Sequence, residues 1–247
     1  MELNINKKYI NSVDDFTKII LDINKDLDVH KSDEKIIYIS IILIKNYLTA
    51  NEINNIFKLE MFNFSINKLQ KINLTANNLE KIPEIMNSFI ALKYLILNNN
   101  KIEKISNLEN LSNLEKLELR GNKITKIEGI NNLKNLIKLT LSCNLITKIE
   151  GSDFPRNDSL LELGLFGNYL GIENNKCEKN INDENIINLK NFSEIIKNKF
   201  KNLKCLYIGG NFFTNLNNLN IDNINENENY KSIIKSIIPG IIIDGQN

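Results

Sequence analysis

Four asparagines, Asn77, Asn100, Asn122 and Asn144, stand 23, 22 and 22 residues apart, and each has a leucine or isoleucine three, five and eight residues before it. Leu92-Lys-Tyr-Leu95-Ile-Leu97-Asn-Asn-Asn100 is followed by Leu114-Glu-Lys-Leu117-Glu-Leu119-Arg-Gly-Asn122. A fixed period of this size constrains the fold more than composition can. Apolar residues two apart place one face of a short strand in a core. The following apolar residues turn the chain back across the stack. One such coil can bury its apolar face only against its neighbours, so the expected product is a curved solenoid.

Four coils read clearly, at 69–91, 92–113, 114–135 and 136–159. A fifth begins at Leu160-Leu-Glu-Leu163-Gly-Leu165 and reaches Asn168. A last one, Leu203-Lys-Cys-Leu206-Tyr-Ile208, reaches Asn211. A degenerate opening coil is expected at Ile56-Phe-Lys-Leu59-Glu-Met61, with Phe64 where the asparagine would stand. The asparagine amide offers donors and an acceptor to backbone groups at the turn. Left unpaired, such groups cost roughly 1–3 kcal/mol each. Asn77, Asn100, Asn122, Asn144, Asn168 and Asn211 are therefore assigned to a structural ladder.

These residues resemble the leucine-rich repeat family, whose signature is L-x-x-L-x-L-x-x-N-x-L. In the clean coils the second half runs Ile-x-x-Ile-x-x-Leu-x-x-Leu, as in Ile102, Ile105, Leu108 and Leu111. That form looks like the SDS-type, 22-residue subfamily, which includes a phosphatase 1 regulator, axonemal dynein light chains, dynein-assembly factors and a spliceosomal A-prime protein. Bacterial internalins use a similar repeat. The resemblance covers about 56–245 and implies an α/β solenoid, a right-handed superhelix with parallel strands on its concave face. Tyr230-Lys231, the run to Ile238, Pro239 and Asp244-Gly245 resemble the closing cap Y-R…L-P-x-L-x-x-L-D-G, one residue shorter between Pro239 and Asp244.

Residues 1–55 carry no repeat and read as a helical N-terminal cap. A loose capping box at Ser12–Asp15 precedes Phe16, Ile19, Ile20 and Ile23, and a proper one at Thr49–Glu52 opens a helix through Phe57. Between them Ile36–Ile44 is apolar and unassignable by periodicity; a buried helix is the expectation, since a membrane span needs about 18 or more apolar residues. The repeats occupy 56–211 with an insertion at about 173–200. Residues 173–185 read as a polar loop, and Ile186, Ile187, Leu189, Phe192, Ile195, Ile196 and Phe200 then fall at helical spacing on the convex side. The closing cap takes 212–247.

Formal net charge is +1, from 31 basic and 30 acidic residues, so no global field recruits nucleic acid or membrane. Three isolated cysteines without metal spacing, and no N-terminal signal segment, point to a reducing interior. The chain holds 46 asparagines, 43 isoleucines and 29 lysines but only two arginines, which an A/T-rich genome explains, as in some protists. Five N-x-S/T sequons are what that asparagine content yields by chance. His30 is the one histidine and lies outside the repeats, so no nucleophile-base pair has a site. Gly209-Gly210 lacks the lysine of a phosphate loop. No metal site, cofactor or enzymatic activity is expected.

Residues flanking the inward leucines of each strand should face the concavity. Most are polar; Tyr94, Ile96, Phe166 and Tyr207 are not, and Arg120 is one of the two arginines. Together with Lys116, Glu118 and Lys138 they form the candidate partner-binding face, since tyrosine and arginine are enriched at interface hot spots. Glu118 and Glu162 interrupt the lysine column, so direct nucleic-acid binding is not expected. The leading expectation is a cytoplasmic protein-interaction module, monomeric alone. By resemblance it is phosphatase-regulatory or dynein- and axoneme-associated, which would allow a nuclear or axonemal site of action. The alternatives are a ribonucleoprotein component and an internalin-like binder.

Overall fold

The computed structural model describes residues 2–6, 40–44, 47–58, 67–150, 156–171, 182–211 and 230–244. Among these residues, nine strands form one parallel sheet in strict chain order. They are β1 Glu2–Asn6, β2 Ser40–Ile44, β3 Lys71–Asn73, β4 Tyr94–Ile96, β5 Lys116–Glu118, β6 Lys138–Thr140, β7 Glu162–Gly164, β8 Cys205–Tyr207 and β9 Ile242–Ile243. From β3 to β8 every strand is three residues long. Its middle residue (Ile72, Leu95, Leu117, Leu139, Leu163 or Leu206) points into the core, and its two flanking residues face outward. Parallel pairing of neighbours in sequence requires every crossover to run along the opposite side of the stack, which is what a solenoid does. One apolar core runs without interruption from Leu43 to Ile243.

The two ends differ from the expectation. Ser40–Ile44 is a strand, not a buried helix, and pairs with β1 on one side and β3 on the other. Ile42 and Leu43, successive residues and so on opposite faces of the pleat, are both buried, and a β-branched isoleucine suits that setting. The helical reading of 1–55 is thus corrected at Glu2–Asn6 and at Ser40–Ile44. The opening coil placed at Ile56 is also overturned, because Ile56 and Phe57 lie in helix α1, Ala50–Phe57. The coil before Asn77 instead runs through Ile41 and Leu43: Ile41 pairs with Ile72, 31 residues on. The helix expected after Ser12, and Leu59, Met61 and Phe64, lie outside the described residues.

Helix α1 starts where its capping box directs. The Thr49 hydroxyl accepts from Glu52 N at 3.3 Å, and Thr49 N donates to the Glu52 carboxylate at 2.6 Å. Ile53, Ile56 and Phe57 bury one face, and Phe57 meets Phe89 edge-on with ring centroids 4.9 Å apart. Helix α2, Asn182–Lys199, fills the β7–β8 crossover and buries Leu189, Phe192 and Ile196. It starts four residues before the expected Ile186.

At the C-terminal end, helix α3, Tyr230–Ile237, packs on α2, and the chain turns at Gly240 into β9. Asp244 then ends the ladder. One of its carboxylate oxygens accepts from Ile208 N at 2.7 Å and Gly209 N at 3.0 Å, and the other accepts from the Tyr230 hydroxyl at 2.5 Å. Burial, then the hydrogen bond to Asp244 and its charge, hold the Tyr230 phenol well above its usual pKa. The folded state thus favours the neutral phenol. The corresponding stability is complete below the ordinary tyrosine pKa of about 10 and is lost as pH rises toward the higher folded value. Tyr230→Phe should cost about 1–2 kcal/mol near neutrality, as loss of one half-exposed bond to a carboxylate. Urea unfolding of both proteins at pH 8 and pH 10.5 checks this, and the gap between them should narrow at the higher pH.

Candidate functional site on the concave face

The strand register stacks the flanking residues into columns. Lys71, Tyr94, Lys116, Lys138, Glu162 and Cys205 are successive Cα partners, as are Asn73, Ile96, Glu118, Thr140, Gly164 and Tyr207. What holds these columns in line is the asparagine ladder beneath their edge. Asn122 Nδ2 donates to Leu119 O of its own coil and to Leu97 O of the coil before, both at 3.0 Å, while its Oδ1 accepts from Ile102 N at 3.0 Å. Asn100, Asn144, Asn168 and Asn211 repeat the pattern, each clipping its coil to the preceding one. Asn77 does the same to Leu43 O and Leu48 N, which aligns Asn46 with the ladder in sequence. Asn46 itself lies outside the described residues.

A second set of asparagines was not anticipated. Asn113, Asn135 and Asn202 each stand one residue before a strand's first leucine, and each donates an amide N–H to the preceding coil. The acceptors are Ile90 O (2.9 Å), Ser112 O (2.9 Å) and Asp158 O (2.8 Å). Part of the asparagine excess is therefore mechanical. Their spacing from the strand leucines carried the signal.

On the face itself most charges are already paired. Lys116 meets Glu118 at 2.7 Å, and Lys138 meets Glu162 at 2.6 Å. Partial burial pushes the Glu118 carboxyl up, but hydrogen bonds from Lys116 and Asn98 and the charges of Lys116 and Lys138 outweigh it, leaving the carboxyl below its ordinary value. The hydrogen bond to Glu162 raises Lys138 against the opposing effect of burial. These lysines thus form no free positive stripe of the kind a phosphate backbone needs. Arg120 differs, because its guanidinium makes no ion pair among the described residues.

The proposed site residues divide into two groups. Arg120, Lys138, Phe166 and Tyr207 line one depression of about 310 Å³, together with Thr140, Ser142, Gly164 and Asp244. Tyr94, Ile96, Lys116 and Glu118 stand outside it, toward the N-terminal end. Tyr94 is 37% and Phe166 47% exposed, while Ile96 and Tyr207 are half-buried. The small floor residues Thr140, Ser142 and Gly164 belong to the site and escape a search for large hot-spot side chains. Among the described residues no cluster of His, Cys, Asp or Glu could hold a metal ion, and no helix is long and apolar enough to cross a membrane.

Residues 90–132 and 112–156 match the family model for leucine-rich repeats (two copies). No curated protein matches the chain. Among solved structures, TLR13 in complex with ssRNA13 superposes with a TM-score of 0.53 at 23% identity, over 69% of this chain and 21% of that one. An internalin (inlF) from Listeria monocytogenes gives a TM-score of 0.45 at 23% identity, over 71% and 48%. The chain thus spans about half the length of the internalin and about a fifth of TLR13. The repeat match and the sheet together make the fold a leucine-rich-repeat solenoid.

Proposed function

We propose that this chain is a non-enzymatic interaction module that holds a partner protein on its concave strand face. The observation that carries this reading is Arg120, an exposed cation without an ionic partner among the described residues, set on a sheet that also exposes Tyr94 and Phe166. Aromatic side chains, with two rotatable bonds, lose little conformational freedom on binding, and arginine's planar fork makes several hydrogen bonds for the freedom it loses, which favours hot spots. Paired lysines speak against a polyanion as the partner. On this reading the chain acts inside the cell, without a cofactor and as a monomer when alone. Membership of the SDS-type subfamily, with a phosphatase-regulatory or axonemal role, is supported by the isoleucine-rich repeat and by the Tyr230–Asp244 closure.

Arg120→Glu tests the face without touching the core, and its melting temperature should match wild type because surface changes usually stay within about 0.5 kcal/mol. Partner capture from a lysate of the source cells should fall at least tenfold with Arg120→Glu and with the Tyr94→Ala/Phe166→Ala double variant. Capture of the same proteins at wild-type levels by both folded variants would move the site to the convex side, at α2.

A further inference from the structure

The depression on the concave face has a local cause in the sequence. In the outer column Ser142 stands between Arg120 and Phe166, so two large side chains flank a small one across two strand spacings, roughly 10 Å. Beside it, Gly164 offers no side chain at all, and a Cβ there would sit 3.1 Å from the Ser142 hydroxyl and 3.3 Å from the Thr140 methyl. The result is a notch with an aromatic wall, a cationic wall and a hydroxyl floor. Ser142 is 6% exposed, and its hydroxyl has no hydrogen-bond partner among the described residues. The hydroxyl itself is not sealed from solvent, so it is open to a group that enters the notch. The neighbouring acids cannot serve Arg120 as they stand, because Glu162 is held by Lys138 and Asp244 by Tyr230, Ile208 N and Gly209 N.

From this geometry we infer that the notch seats one acidic side chain of the partner, an aspartate or glutamate presented on an extended segment or loop. Its carboxylate takes the Arg120 guanidinium, for which two parallel N–H···O bonds are the favoured geometry, and accepts from the Ser142 hydroxyl. Its methylene stem lies against the Phe166 ring. The volume of about 310 Å³ admits such a side chain with part of its backbone, not a folded element. This inference rests on the concave-face reading and specifies what that face recognises.

The test uses the full chain, immobilised, and nine-residue peptide libraries degenerate except for a central Glu, Asp, Gln, Lys or phosphoserine. Wild type should retain the Glu or Asp library at least tenfold over the Gln and Lys libraries. Arg120→Gln, which removes the charge, and Ser142→Met, which fills the notch, should each abolish that preference while melting like wild type. Equal retention of Glu and Gln libraries, or a preference that survives Arg120→Gln, overturns the inference. Stronger retention of phosphoserine than of Glu overturns the carboxylate in favour of a dianion. Failure of every library on wild type also overturns it. If Tyr94→Ala, which lies outside the notch, then still loses a captured partner, the concave reading stands without the acidic anchor.

Discussion

Asn122→Ala is expected to destabilise the protein by about 2 kcal/mol, because one buried backbone N–H loses its only partner and two buried carbonyls each lose one of two bonds. Ile102 N, Leu97 O and Leu119 O all bond to this one amide, and the side chains of those residues are fully buried. Leu97 O keeps the bond from Asn100 Nδ2 and Leu119 O the bond from Asn144 Nδ2, so the full cost of an unpaired group, roughly 1–3 kcal/mol, falls on Ile102 N alone. The position adds a second signature. Asn122 joins the coils of β4 and β5, the second and third of the three-residue strands, and coils in a solenoid are coupled only through their neighbours. Weakening that junction should let the two halves unfold separately, so the urea m-value should fall along with the midpoint. Asn110→Ala is the control, since Asn110 contributes only its backbone N–H, to Asn87 Oδ1. It should change stability by less than about 0.5 kcal/mol. Equal losses in the two variants would mean that the ladder does not carry the coil junctions.

The regular half of the fold was legible because its coils are almost equal in length. Where the crossover holds no α-helix, a coil closes in 22 to 24 residues, even with the short 3₁₀ turn at Glu84–Ser88, and the motif repeats at sight. A helix advances only 1.5 Å per residue against about 3.3 Å for a strand, so a crossover that contains one needs more chain. That is why the coil bearing α1 takes 31 residues from Ile41 to Ile72, and the one bearing α2 takes 43 from Leu163 to Leu206. The first of these hid the motif Ile41-x-Leu43-x-x-Asn46-x-Leu48 from a search at period 22 and left Ile36–Ile44 ambiguous. The candidate face was legible in its columns, because strand alternation alone decides which residues point outward. Its internal organisation was not. Which lysine finds which glutamate depends on cross-strand register, and the notch depends on a hydroxyl, a missing side chain and an arginine from three different coils.

Truncation after Asn211 should do more damage than any point change, because it uncovers the end of the core and an open strand edge together. Residues 230–244 bury Ile233, Ile234, Ile241 and Ile243 against the last coil. Their removal forfeits roughly 1.5–3 kcal/mol per side chain, an upper bound that the regained chain entropy offsets in part. It also exposes Leu206 and Ile208, which are fully buried in the intact chain. Lys204 O and Leu206 O lose the bonds donated by Ile242 N and Asp244 N, and Ile208 N and Gly209 N lose the Asp244 carboxylate. β8 becomes a bare parallel edge, which invites pairing with a second chain. The truncated protein should therefore melt at least 10 °C lower and elute as oligomers or aggregate. Light scattering after size exclusion, with circular dichroism melts, measures both. Ile234→Asn in the full-length chain separates the two causes: it wounds the cap core while leaving β9 and Asp244 present, so it should lower the melting temperature without creating oligomers. A truncated chain that remains monomeric with an unchanged melt would show that residues 212–247 do not close the solenoid. The last coil would then have to be stable with Leu206 and Ile208 facing water, contrary to the cost of exposing two leucine-sized side chains.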